Sequence, residues 1–188
     1  MDGGSGLTDE VDKLVAAWRH ERPDVDIAPL EVFSRITRLA RHLDRARRTA
    51  FAEHDLEVWE FDVLAALRRA GEPYQLSPGQ LITQTLVTSG TMTNRIDRLA
   101  GRGLVRRLPD PADRRGVLVR LTNEGRARAD AALDDLLDRE RALLAGLDPV
   151  RRGELAAVLR TLVLPFDNPA ATSRGSIATS RAGSIATR

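Results

Sequence analysis

Apolar residues recur every three to four positions over most of the chain, so the pattern predicts a mostly helical protein with one pair of short strands. Val11, Leu14, Val15 and Trp18 form a stripe that ends before Pro23. Thr8 is expected to cap that helix, with Asp9 and Glu10 in its positively polarised first turn. From Pro29 a long helix reads Leu30, Phe33, Ile36, Leu39, Ala40, Leu43, Ala46 and Ala50, with Arg on its other face. A third runs from Val58 to Ala70 and is stopped by Gly71 and Pro73.

Ser77-Pro78-Gly79-Gln80 is a start signal: Ser77 caps, Pro78 takes the first helical position, and Gln80 closes a capping box. The helix it opens is short and ends near Leu86. Thr88-Ser89-Gly90 supplies a further cap, and the next helix runs through Met92, Ile96 and Leu99 to Gly101. Then the period changes. Val105 to Leu108 reads as a strand, Pro109 to Gly116 as turn chemistry, and Val117 to Leu121 as a second strand, giving a hairpin with a basic tip. Thr122 caps a long helix through Leu133, Leu136, Leu137 and Leu144, broken at Gly146. Asp148-Pro149 opens a last amphipathic helix (Val150, Leu155, Val158, Leu159, Leu162), which Pro165 is expected to end. The tail at 169–188 repeats Gly-Ser-Ile-Ala-Thr, lacks acids and apolar periodicity, and is expected to be disordered.

Charge changes this picture more than composition does. A net charge of +2 over 188 residues conceals segregation. Residues 1–34 carry a balance of −5, 35–48 one of +5, 49–87 one of −4, and 88–121 one of +5. Two basic blocks on a nearly neutral chain point to a face for polyanions; the competing reading is solvated helix faces. Cysteine is absent, which excludes disulfides, thiol redox sensing, Cys-ligated zinc and Cys nucleophiles. No apolar run reaches the ~18–20 residues of a membrane span. The first seven residues carry no apolar core of a secretory signal, so a cytoplasmic protein with no membrane role is expected.

Helix, short helix, second helix and hairpin is the element order of a winged helix-turn-helix. The helix at 89–101 then becomes the one that enters a major groove, offering Ser89, Thr91, Thr93, Asn94, Arg95 and Arg98, with Ser77 at the start of the preceding helix. Two short helices that merely pack together are commoner, but that reading leaves the basic hairpin unexplained.

The residues Leu99-x-x-x-Gly103-Leu104-Val105-x-Arg107, followed by Asp110-Pro111-x-Asp113-Arg114-Arg115-x-x-x-Val119-x-Leu121-Thr122-x-x-Gly125, closely resemble the multiple antibiotic resistance regulator (MarR) family. The resemblance extends over roughly residues 30–164. It implies a homodimer on an inverted-repeat operator in double-stranded DNA, acting as a repressor that a small ligand releases. It divides the chain into an extra N-terminal helix and linker (1–29), a dimerisation helix (30–56), the winged lobe (57–121), C-terminal dimerisation helices (122–168) and the tail (169–188). It also gives Arg115 a place in the minor groove and Asp113 the task of aiming it, with Arg114 beside them. Asp113 and Arg115 lie two apart, so the carboxylate can hold the guanidinium; a surface ion pair on a mobile loop is the alternative.

The extra helix with its Trp further resembles the urate-responsive subgroup. That likeness nominates Trp18, Asp62, Arg95 and Arg107 for a small organic anion such as urate or a polycarboxylate. An indole face with two guanidiniums suits a flat or compact anion. Core packing for Trp18 and a structural ion pair between Asp62 and Arg95 compete with that reading. His20, His42 and His54 fall in separate segments with no relay spacing, so no catalytic group, metal site or cofactor is expected. A small enzyme or a dimeric helical scaffold remain the alternatives.

Overall fold

The computed structural model describes residues 8–167. Helix α1 (Glu10–Glu21) opens on Asp9, not Thr8: Asp9 Oδ1 accepts the Val11 and Asp12 backbone N–H at 2.7 and 3.1 Å, and Asp12 Oδ2 accepts the Asp9 N–H at 2.7 Å. Asp9 prevails because the reciprocal box satisfies three N–H groups, and because Arg35 grips both of its acids from the next helix. Arg35 Nε lies 2.8 Å from Asp9 and Nη2 2.6 Å from Asp12. That helix is α2 (Ala28–Ala52). Between α1 and α2 lies a small apolar cluster of Val11, Val15 and Ile27 against Leu30, while Leu14 and Trp18 are exposed.

The main core forms where α2 ends. Phe51 stacks on Phe61 of α3 (Val58–Arg69) with centroids 4.0 Å apart. Around this pair gather Leu64 and Leu67 of α3, Leu81 of α4 (Pro78–Thr85), and Met92, Ile96 and Leu99 of α5 (Ser89–Gly101). Ala129, Ala132 and Leu136 of α6 (Asn123–Leu143) complete it. The box at Ser77 is as expected: Ser77 Oγ accepts from Gln80 N at 3.3 Å, and Gln80 Oε1 accepts from Ser77 N at 2.8 Å. Thr88 caps α5 by accepting the Thr91 N–H.

The hairpin is longer than expected and carries a third strand. β2 (Val105–Asp110) and β3 (Asp113–Leu121) pair antiparallel from Val105↔Leu121 to Asp110↔Asp113, leaving only Pro111 and Ala112 at the tip. The register is irregular between Pro109 and Asp110, where Gly116 makes the crossing possible: a Cβ there would lie 2.9 Å from that of Asp110. β1 (Gln75–Leu76) adds to the other edge, giving the order β1-β3-β2.

Helix α7 (Pro149–Asp167), in a second unit that begins at Ala142, contains Pro165 rather than ending before it. Proline's fixed φ is that of a helix, so the last turn runs two residues past it to Asp167. Val150, Leu155, Val158, Leu159, Leu162 and Phe166 are exposed along α7. The expectation for 169–188 lies outside the described residues. Among the described residues, no helix is long and apolar enough to cross a membrane.

Candidate nucleic-acid interface

Helix α5 buries Met92, Ile96 and Leu99 and exposes Ser89, Thr91, Thr93, Asn94 and Arg98. At 100° per residue, Gly90 and Asn94 lie opposite the buried stripe, and Thr91 and Arg98 flank them on one side. Some hydroxyls are already engaged. Thr93 Oγ1 donates to the Ser89 carbonyl at 3.1 Å, and Thr91 Oγ1 lies 2.9 Å from that of Thr88. Ser77 holds the start of α4. Three residues, Leu86 to Thr88, turn the chain between α4 and α5. Leu86 is in the left-handed region (φ 53°) and 90% exposed.

The wing presents Asp113 and Arg115 at the start of β3, both exposed. Asp113 is expected to hold the Arg115 guanidinium, but its Oδ1 instead accepts the Arg115 backbone N–H at 2.9 Å. This sets the strand's exit from the tip rather than the angle of the guanidinium. The side chain of Arg114 lies outside what is described.

The four residues nominated for an anion fall in three places. Asp62 and Arg95 line one cavity of about 600 Å³ together with Asp44, Arg48, Ala52, Leu56, Glu57, Val58 and Trp59. Asp62 pairs with Arg47 of α2 at 3.0 Å, not with Arg95. Arg95 lies over the ring of Trp59, with Cζ 5.3 Å from the centroid. Arg107 pairs with Asp97 at 2.7 Å and so ties β2 to α5. Trp18, 49% exposed on α1, borders a separate hollow of about 210 Å³ with Arg22, Val25, Ile27 and Leu30.

Trp59 and Glu57 are the site residues the sequence reading missed. The Arg98 Cζ is 4.7 Å from the Trp59 centroid, so both guanidiniums of α5 rest on one indole. Trp59 Nε1–H donates to Glu57 Oε2 at 2.7 Å, and Arg98 Nη2 donates to Glu57 Oε1 at 2.6 Å. The indole N–H first, and then Arg98, hold the Glu57 carboxyl below the usual range. The i, i+3 pair Arg95 and Arg98 was the available signal: such residues share a helix flank and can meet one aromatic partner. Among the described residues, no group of three His, Cys, Asp or Glu side chains is placed to hold a metal ion.

A helix presenting short polar side chains, set behind a second helix and beside a projecting basic hairpin, defines a winged helix-turn-helix DNA-binding protein. The sequence model of the MarR family matches residues 54–116. The chain belongs to the MarR family: it is 38% identical to the HTH-type transcriptional regulator PecS of Dickeya dadantii over 150 residues, 80% of this chain and 90% of that one. Among solved structures it resembles a MarR variant from E. coli complexed with operator DNA (TM-score 0.59, 25% identity, covering 83% of this chain and 99% of that one). It also resembles BpsR of Bordetella bronchiseptica, whose DNA binding is regulated by 6-hydroxynicotinic acid (TM-score 0.52, 30% identity, covering 68% and 98%). Its relatives are transcriptional regulators, and the protein is a DNA-binding regulator of transcription.

Proposed function

We propose that the protein is a homodimeric repressor that sits on an inverted-repeat operator and leaves it when a small organic anion enters the Trp59–Asp62–Arg95 pocket. One observation carries this reading: Arg95 belongs to the DNA-facing helix and also lines an open cavity of about 600 Å³. A ligand that draws Arg95 off Trp59 therefore acts on α5 directly. The cavity offers Arg48 and Arg95 to an anion, an indole face to a flat ring, and Asp44, Glu57 and Asp62 as acceptors for ring N–H or hydroxyl groups. Urate, other purines, hydroxylated pyridine carboxylates and polycarboxylates share that chemistry. The ligand that regulates BpsR is of this kind. Dimerisation gives a reason for apolar side chains left in solvent: Val32 and Phe33 on α2 are 50% and 54% exposed.

Only a difference in ligand affinity between the two poses of α5 can shift DNA occupancy, and a 100-fold difference is worth about 2.7 kcal/mol per site. The test is titration of urate, hypoxanthine, citrate, trans-aconitate and 6-hydroxynicotinate against the preformed protein–DNA complex. At least one is expected to release DNA and to quench Trp59 in a Trp18→Phe background. Arg95→Ala is expected to abolish the response, whereas Trp18→Ala and Arg107→Ala retain it. Release that survives Arg95→Ala, or no release by any of these anions, contradicts the assignment.

A further inference from the structure

Glu57 and Trp59 meet both arginines on one flank of α5, Arg95 and Arg98. The two aromatic contacts, 5.3 and 4.7 Å, fix where the guanidiniums lie, and the carboxylate 2.6 Å from Arg98 Nη2 fixes which way that one turns. Glu57 is itself held by the indole N–H at 2.7 Å, so the three groups form a closed set. Trp59 packs against the main core, and Glu57 immediately precedes α3, so the set is anchored on a rigid element rather than a loop.

We propose that Glu57 and Trp59 are positioning residues for operator reading: they hold Arg98 of α5 in the orientation in which it meets DNA. An unrestrained arginine has several rotatable bonds to freeze on binding, and a stacked, hydrogen-bonded one has already been ordered. The gain falls on the operator, where one geometry is required. Non-specific duplex accepts many geometries and gains little. The opposite role, a carboxylate that masks Arg98 from phosphate, has the opposite sign. Removing its negative charge then tightens binding to every duplex through the electrostatic component.

This inference rests on the reading of α5 as the DNA-facing helix, and the experiment separates the two. An operator duplex selected by the parent protein from random-sequence DNA, and a scrambled duplex of the same length, are titrated with the full-length protein and with Glu57→Gln. Glu57→Gln is expected to weaken the operator complex about tenfold while leaving the scrambled complex unchanged or slightly tighter. Trp59→Phe, which keeps a ring beneath the guanidiniums but drops the N–H that holds Glu57, is expected to fall between the two. In an Arg98→Ala background, Glu57→Gln should have no further effect, an outcome that a general loss of folding cannot mimic. Operator and scrambled affinities that rise together, stay at parental values, or fall additively in the double variant overturn the proposal. In each case Asn94→Ala reports on the underlying reading. If it too binds the operator like the parent, α5 does not read DNA. If it weakens operator binding while Glu57→Gln does not, only the positioning role fails.

Discussion

Replacing Arg102 with alanine is expected to lower the stability of the fold by about 3 kcal/mol, because it leaves a buried carboxylate without its countercharge. Glu60 is 1% exposed, and its Oε2 lies 2.5 Å from Arg102 Nη1. Among the described residues, Glu60 Oε1 has no hydrogen-bond partner, and Oε2 accepts the Glu57 N–H at 2.9 Å besides Arg102. The same guanidinium also reaches the Asp55 carbonyl at 2.5 Å and its carboxylate at 2.6 Å, and Arg128 of α6 meets that carboxylate at 3.0 Å. Arg102 therefore closes the end of α5 onto the start of α3, and Asp55 links this network on to Arg128 of α6. The hydrogen bond to Glu60 is the main cause that raises the Arg102 pKa above its ordinary value. Thermal unfolding checks this: Arg102→Ala should melt about 10 °C below the parent. The double variant Glu60→Gln/Arg102→Ala, which removes the orphaned charge, should recover part of the loss. A melting temperature for Arg102→Ala within about 2 °C of the parent would falsify the account of this network.

Gly125→Ala is expected to destabilise the protein by about 2–3 kcal/mol, against the usual rule that alanine improves a helix. Gly125 is buried in the first turn of α6. A Cβ there would lie 2.1 Å from the Leu104 carbonyl oxygen and 3.1 Å from Leu121 Cδ1. The carbonyl cannot retreat freely. It accepts the Thr122 N–H and the Thr122 hydroxyl, each at 3.1 Å, while Thr122 Oγ1 accepts the Gly125 N–H at 3.0 Å. The helix start is thus pinned to the turn between α5 and β2, which sets the wing against α6. Denaturant titration of the variant should show a lower midpoint; a raised one would show that the turn can move.

The parts of this fold that were legible in the sequence are those fixed by neighbours. Ser77, Pro78 and Gln80 carry their box within four residues, and Thr122-x-x-Gly125 carries the start of α6. What was missed depended on distant partners. β1 is two residues long, and nothing in Gln75-Leu76 marks a strand until Arg120 and Val119 of β3 lie opposite. Thr8 and Asp9 are both good caps; Asp12 decided between them locally and Arg35 from α2 reinforced the choice. The four residues nominated for an anion show this most clearly. In an arginine-rich chain any carboxylate has several candidate guanidiniums, so sequence could pair Asp62 with Arg95 when its partner is Arg47. The indole beside Arg95 proved to be that of Trp59, not Trp18, because α1 packs on the far part of α2 through Val11 and Val15.

The proposed grip on DNA joins α5 and the wing, with arginines meeting the phosphates. It is tested most directly by titrating the selected operator duplex with the full-length protein at salt concentrations from about 50 to 200 mM. Two protomers per duplex are expected, with an affinity that falls about 10³-fold across that range. Arg115→Ala is expected to lose about 1–3 kcal/mol of binding at low salt and to show a shallower salt dependence. Binding that barely changes with salt, or that is indifferent to Arg115→Ala, would contradict it.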